Sequence, residues 1–104
     1  MTDVQEHIEL RISKLIDALK ENYRKGNTLT SIDFEVVPGK RYYKLVLVDT
    51  GRSVHAFIDK TTGYVYKPAS WNAPAKHVRY RLLDDNSFSK CLSRADWAGG
   101  YLYM

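Results

Sequence analysis

The stretch YVYKPASWNAPAKHVRYR, from Tyr64 to Arg81, gathers the side chains best suited to holding a ligand. Trp71 offers a flat ring, Ser70 and Asn72 offer hydrogen bonds, and Lys67, Lys76, His77, Arg79 and Arg81 offer positive charge. Stacking a base on an aromatic ring contributes about 1 to 3 kcal/mol, and a guanidinium can grip a phosphate through two parallel bonds. Pro68 and Pro74 stiffen the segment, which lowers the entropy lost when a ligand is held. The expected ligand-binding set is therefore Lys67, Ser70, Trp71, Lys76, His77, Arg79 and Arg81. Its expected ligand is an anionic, ring-bearing, nucleotide-like small molecule. A plainer reading stands beside this one. Val78, Tyr80 and Leu82 alternate as a fifth strand would, leaving His77, Arg79 and Arg81 in water, while Trp71 and Tyr66 plug the open edge of the core.

Nothing else in the chain has the spacing of a reaction centre. His7, His55 and His77 share no ligand-like interval with one another, with Cys91 or with a carboxylate, so no metal and no cofactor are expected. Cys91 reads as a small core residue and His55 as a satisfied sheet residue. There is no glycine-framed nucleophile turn and no glycine-rich phosphate loop, and Ser70 with Lys76 has no known nucleophile–base spacing. The expectation is a binder and not an enzyme.

Charge placement sharpens the partner. Of 104 residues, 16 are Lys or Arg and 12 are Asp or Glu, giving a net charge of +4. No acid occurs from Lys60 to Leu83, where five cations lie, so the remaining chain holds eleven cations against twelve acids. A groove that tracks a polynucleotide needs an extended basic stripe, whereas a small-ligand pocket needs a few convergent groups. One basic segment on a near-neutral remainder favours the pocket. A nucleic-acid-binding protein is the first alternative. An inhibitor of a host protein, with Trp97, Tyr101 and Tyr103 as exposed anchors, is the second. A homo-oligomer is compatible with all three. The absence of any apolar run of about 18 residues argues for a soluble protein with no membrane partner. The start MTDVQEHIEL lacks the features of a secretory signal, and the single cysteine suits a reducing cytoplasm.

The elements that must position these groups follow from periodicity. Val4, Ile8, Ile12, Leu15, Ile16, Leu19 and Tyr23 form one stripe, predicting a helix over 3–25 with Asp3 and Glu6 at its start and Gly26 at its stop. The period then changes to two. Ile32, Phe34 and Val36 alternate, VPGKR turns the chain, and YYKLVLVD carries apolar residues on both faces, as an interior strand does. DTGR turns it again, SVHAFID places Val54, Ala56 and Ile58 on one side, and KTTG leads into YVYK. The fold class is α+β: an N-terminal helix packed on an antiparallel meander of four or five strands, in a single domain over 1–104. Expected core residues are Ile8, Ile12, Leu15, Leu19, Phe34, Leu45, Leu47 and Ile58. The prolines of PASWNAP predict a loop, a short helix is expected from about Ser87 to Ala95 capped by Ser87 or Asn86, and YLYM is expected as a last short strand.

Two resemblances are carried by these motifs. FIDKTTGYVY resembles the strand-turn-strand D-x-x-T-G of PepSY-like domains over about ten residues; local turn chemistry accounts for that, and no function comes with it. More specifically, Lys67, Pro68, Ala69, Ser70 and Trp71 followed by Pro74, Ala75, Lys76 and Arg79 make this chain similar to small uncharacterised tailed-bacteriophage proteins. The likeness spans about a third of the chain, from Gly51 to Asp84. It implies a phage accessory protein acting in the cytoplasm of an infected bacterium, where sequestering a nucleotide defence signal is one role.

Overall fold

A computed structural model describes residues 3–103. Helix α1 runs Asp3–Gly26 and buries Ile8, Ile12, Leu15 and Leu19, the four residues its stripe repeats at helical spacing. Asp3 and Glu6 face the positive N-terminal end and Arg24 and Lys25 the negative C-terminal end, each favourable to the helix dipole. Val4, at the head of the stripe, is exposed.

Seven strands follow among the described residues: β1 Asp33–Pro38, β2 Tyr42–Val48, β3 Arg52–Asp59, β4 Tyr64–Tyr66, β5 Pro68–Ser70, β6 Ala73–Pro74 and β7 Tyr80–Arg81. Five of them form one antiparallel sheet in the order β1-β2-β3-β4-β7. Its inner face carries Phe34, Tyr43, Leu45, Ile58, Val65 and Tyr80, which share one core with the α1 stripe. Helix α2, Asp85–Arg94, adds Phe88 and Cys91 to that core. The architecture is the expected α+β arrangement of helix on antiparallel sheet, and all eight expected core residues are buried.

The turn from β3 to β4 shows why DKTTG sits there. Asp59 Oδ1 accepts hydrogen bonds from Thr61 N (2.8 Å), Thr62 N (3.1 Å) and Thr61 Oγ1 (2.8 Å). Gly63 takes φ +72°, a conformation open to glycine and costly for residues with a Cβ.

Four expectations are corrected. A bulge shifts the β2–β3 register: Leu45 pairs with Ala56 but Val46 pairs with Val54, leaving His55 as the extra residue. Val54 therefore lies on the outer face, opposite Ala56 and Ile58, and His55 turns inward, where its ring sits 5.3 Å from Phe34. Second, PASWNAP is not an irregular loop. The prolines exclude it from the main sheet, but β5 and β6 pair with each other as a small separate hairpin. Third, α2 spans Asp85–Arg94 with Asp84 as N-cap, accepting from Ser87 N at 3.1 Å; the Ser87 hydroxyl instead accepts from Arg81 N at 2.7 Å. Fourth, Gly100–Tyr103 is a 3-10 helix and not a strand. Asp96 accepts from Gly100 N and Tyr101 N and curls the chain there, while Met104 lies outside the described residues.

Candidate functional site

The outer face of the sheet, opposite α1, is where aromatic and basic side chains meet. Alternation along the strands puts Tyr42, Lys44 and Val46 of β2 outward, and the register sets Lys44 beside Phe57 and Phe57 beside Tyr66. The rings form a joined group: Tyr42 lies 6.0 Å from both Phe57 and Tyr66, edge to face in each case. Burial pushes the Tyr66 phenol above its ordinary pKa, so the group stays neutral.

The β5–β6 hairpin lies over this face, held where Ala75 N donates to Lys67 O at 2.9 Å. Its tip is Trp71–Asn72. Lys44 Nζ sits 4.5 Å from the centroid of the Trp71 ring and 3.4 Å from Asn72 Oδ1. Between this tip and the β1–β2 turn is a depression of about 240 Å³ lined by Lys40, Arg41, Tyr42, Lys44, Phe57 and Asn72. Three cations and two rings thus converge on one hollow. On the hairpin's other side a second hollow of about 350 Å³ is formed by Arg52, Val54, Pro68, Ser70 and Trp71. Trp71, 44% exposed, borders it.

Two carboxylates stand near these cations: Glu35 is ion-paired with Arg52, and Asp59 faces Arg41. Burial alone would raise the Asp59 pKa, but the hydrogen bonds from Thr61, Thr62 and Arg41 outweigh it and hold the group below its ordinary value. Its Oδ2 lies 3.5 Å from Arg41 Nε, on a guanidinium that otherwise faces solvent and lies 5.2 Å from the Tyr42 ring.

The seven residues expected from the sequence do not share one cavity. Trp71 and Ser70 are on the hairpin, Trp71 at its tip. Lys67 turns toward the C-terminal segment, its Nζ 4.6 Å from the Tyr103 ring. Arg81 lies beside Tyr64 in the register with its guanidinium 5.4 Å from that ring. Arg79 enters the same sheet edge by donating its N–H to Val65 O, and its Nε is buried with no hydrogen-bond partner among the described residues. Lys76 and His77 are exposed between hairpin and edge. Tyr80 and Leu82 are buried and Val78 is half-buried, as a fifth strand required. Trp71 plugs no edge.

Lys40, Arg41, Tyr42 and Lys44 were not in the expected set. Their signal was present in GKRYYK, where three cations bracket two rings. What the sequence conceals is that Lys44 lies against a residue 28 positions away. His55 and Cys91 are buried, as read. His55 Nε2 is 2.8 Å from Tyr101 Oη, and burial lowers its pKa to about 4. Burial also pushes the Cys91 thiol up to about 12. Tyr101 is buried too, which removes it as an exposed anchor for a protein partner.

One family model matches the sequence over residues 1–104. The chain belongs to DUF7717, a family of unknown function. No curated protein and no solved structure matches it. Among the described residues of this DUF7717 chain, no helix is long and apolar enough to cross a membrane.

Proposed function

We propose that this chain is a non-catalytic binder of a small phosphorylated, ring-bearing ligand, held where the hairpin tip meets strand β2. The observation that carries this reading is the placement of Lys44 between the Trp71 ring and Asn72, above a hollow that also holds Lys40, Arg41 and Tyr42. A base or similar ring packs at the hairpin tip against the half-exposed Trp71 ring. Its phosphates take the donors of Lys40, Arg41 and Lys44, and Asn72 supplies a polar contact to the ring edge. The lining of the hollow contains no carboxylate and no histidine to move a proton, which supports capture over turnover. On this reading the protein acts in the cytoplasm of an infected bacterium, as an accessory protein that sequesters a nucleotide signal of host defence, a role the resemblance to small tailed-phage proteins supports.

Calorimetric titration with nucleoside mono- and triphosphates and cyclic dinucleotides tests the reading. Trp71→Ala should weaken binding by about 1 to 3 kcal/mol through lost stacking. Lys44→Ala should weaken it as well, and both variants should keep the parent's fold by circular dichroism. The ligand should be recovered chemically unchanged. Full-affinity binding by both variants, or recovery of a hydrolysed ligand, overturns the proposal.

A further inference from the structure

We infer that this surface also accepts a longer occupant whose unit is that phosphorylated ring: single-stranded nucleic acid, running from the hairpin tip to the β7 edge on the outer side of the sheet. The inference rests on the reading above, that Trp71 and Lys44 hold a phosphorylated ring, and adds to it the length and chemistry of the occupant.

A ring beside a cation is the unit that binds one nucleotide: the ring takes the base and the cation takes the phosphate. The outer face repeats this unit. Lys44 lies over the Trp71 ring at 4.5 Å from its centroid, Arg41 over Tyr42 at 5.2 Å and Arg81 over Tyr64 at 5.4 Å, so a stacking base moves each cation off the ring and onto its own phosphate. The first two units lie at β2 and the hairpin tip; the third lies at the far side, where β4 pairs with β7. Three strand-to-strand steps separate β2 from β7, a span of roughly 14 Å at the usual sheet spacing. A mononucleotide held at Lys44 and Trp71 leaves Arg81 and Tyr64 unused, whereas a short chain of nucleotides reaches them.

Phe57 and Val46 are buried in the middle of the outer face, so the nucleotide chain skirts the hairpin over the half-buried Tyr42, Tyr66 and Tyr64. Tyr66, which lies edge to face with Tyr42, continues the aromatic path toward β7. Asp59 is the carboxylate along it, and its oxygens are already engaged by Thr61, Thr62 and Arg41. The hairpin and β7 both come from the acid-free segment Lys60 to Leu83, so the path runs through the most cationic part of the chain. Stacking also selects the strandedness. A duplex keeps its bases paired and stacked inside and presents phosphates outward, while a single strand can splay its bases onto rings such as these.

The test uses the full chain and fluorescein-labelled ten-residue oligothymidylate and oligouridylate, read by anisotropy, with a duplex of equal length and unlabelled thymidine and uridine monophosphates as competitors. Expected is single-strand binding at least tenfold tighter than the monophosphates and tighter than the duplex. Three phosphate contacts give a slope of log K against log salt of about −2. Arg81→Gln and Lys44→Ala should each weaken oligomer binding and bring the slope about 0.7 closer to zero. Monophosphate binding should respond to Lys44→Ala and not to Arg81→Gln, which a general loss of fold at Arg81 would not produce. Preference for one of the two oligomers identifies the sugar and supports the inference equally. Monophosphates bound as tightly as oligomers, or a duplex bound as tightly as the single strand, overturns the inference and leaves the small-ligand reading standing. If cyclic dinucleotides, monophosphates and oligomers all fail to bind, both fall.

Discussion

Acidification from pH 7 to pH 5 should cost this protein about 2 kcal/mol through His55 alone, because burial drops the imidazole pKa from 6.5 to about 4, with Asp96 pulling weakly the other way. The ring lies inside the core against Phe34, hydrogen-bonded at 2.8 Å to a tyrosine hydroxyl that is itself buried. The unfolded chain takes up a proton near pH 6.5 while the folded chain resists until about pH 4. Stability is therefore complete above 6.5, declines as pH falls toward 4, and levels off below it. At 1.36 kcal/mol per pKa unit, the full loss is about 3 kcal/mol, of which about 2 is reached by pH 5. The carboxylates of Asp33 and Asp59 are lowered, so the stability they add is lost only as pH falls below 3.8, outside this window. Urea denaturation at pH 7, 6 and 5 measures the effect. His55→Gln should be less stable at pH 7 yet nearly flat across the range. A parent that loses less than about 0.5 kcal/mol, or a variant that loses as much as the parent, refutes the reasoning.

Leu15 is fully buried at the centre of the α1 stripe, so Leu15→Ala should cost about 2 to 5 kcal/mol in denaturant; a loss typical of surface sites would mean the helix presents another face. Gly63→Ala should destabilise by more than about 1 kcal/mol, because the residue has φ +72° and its Cβ would lie 3.1 Å from Leu83 Cγ; an unchanged melting temperature would contradict that geometry. Cys91, buried and with its thiol pushed up to about 12, should resist alkylation at pH 8 until the chain unfolds, and rapid labelling of the native protein by iodoacetamide would show the core to be open there.

The parts of the fold that were legible are those written in local period. The α1 stripe and the β1–β2 turn needed only neighbours three, four or two apart, and their positions held. The bulge was hidden because SVHAFID alternates correctly until it is paired with β2, and only the pairing reveals that His55 is an extra residue. The α2 cap was ambiguous for a related reason: Asp84, Asp85, Asn86 and Ser87 are all good caps, and only the fold shows Asp84 accepting from Ser87 N while the Ser87 hydroxyl accepts from Arg81 N. The site was half legible. Trp71 and the acid-free run pointed to the hairpin, but a hairpin needs a floor, and the floor is Tyr42, Lys44 and Phe57 from strands read only for their apolar pattern. Residues of β2 and of the hairpin tip meet through tertiary packing, which no spacing within either segment encodes.

The two tryptophans occupy opposite situations. Trp97 packs edge to face on Tyr23 at 4.9 Å against the core, with its backbone N–H on Asn22, while Trp71 stands in solvent at the hairpin tip beside a lysine ammonium. The chain thus carries two separable optical reporters. Emission from Trp97 shifts when α1 leaves the C-terminal segment, and emission from Trp71 is quenched when a flat molecule covers its ring. Replacing either by phenylalanine turns the intrinsic fluorescence into a single-channel gauge, one of integrity and the other of occupancy, with no dye attached.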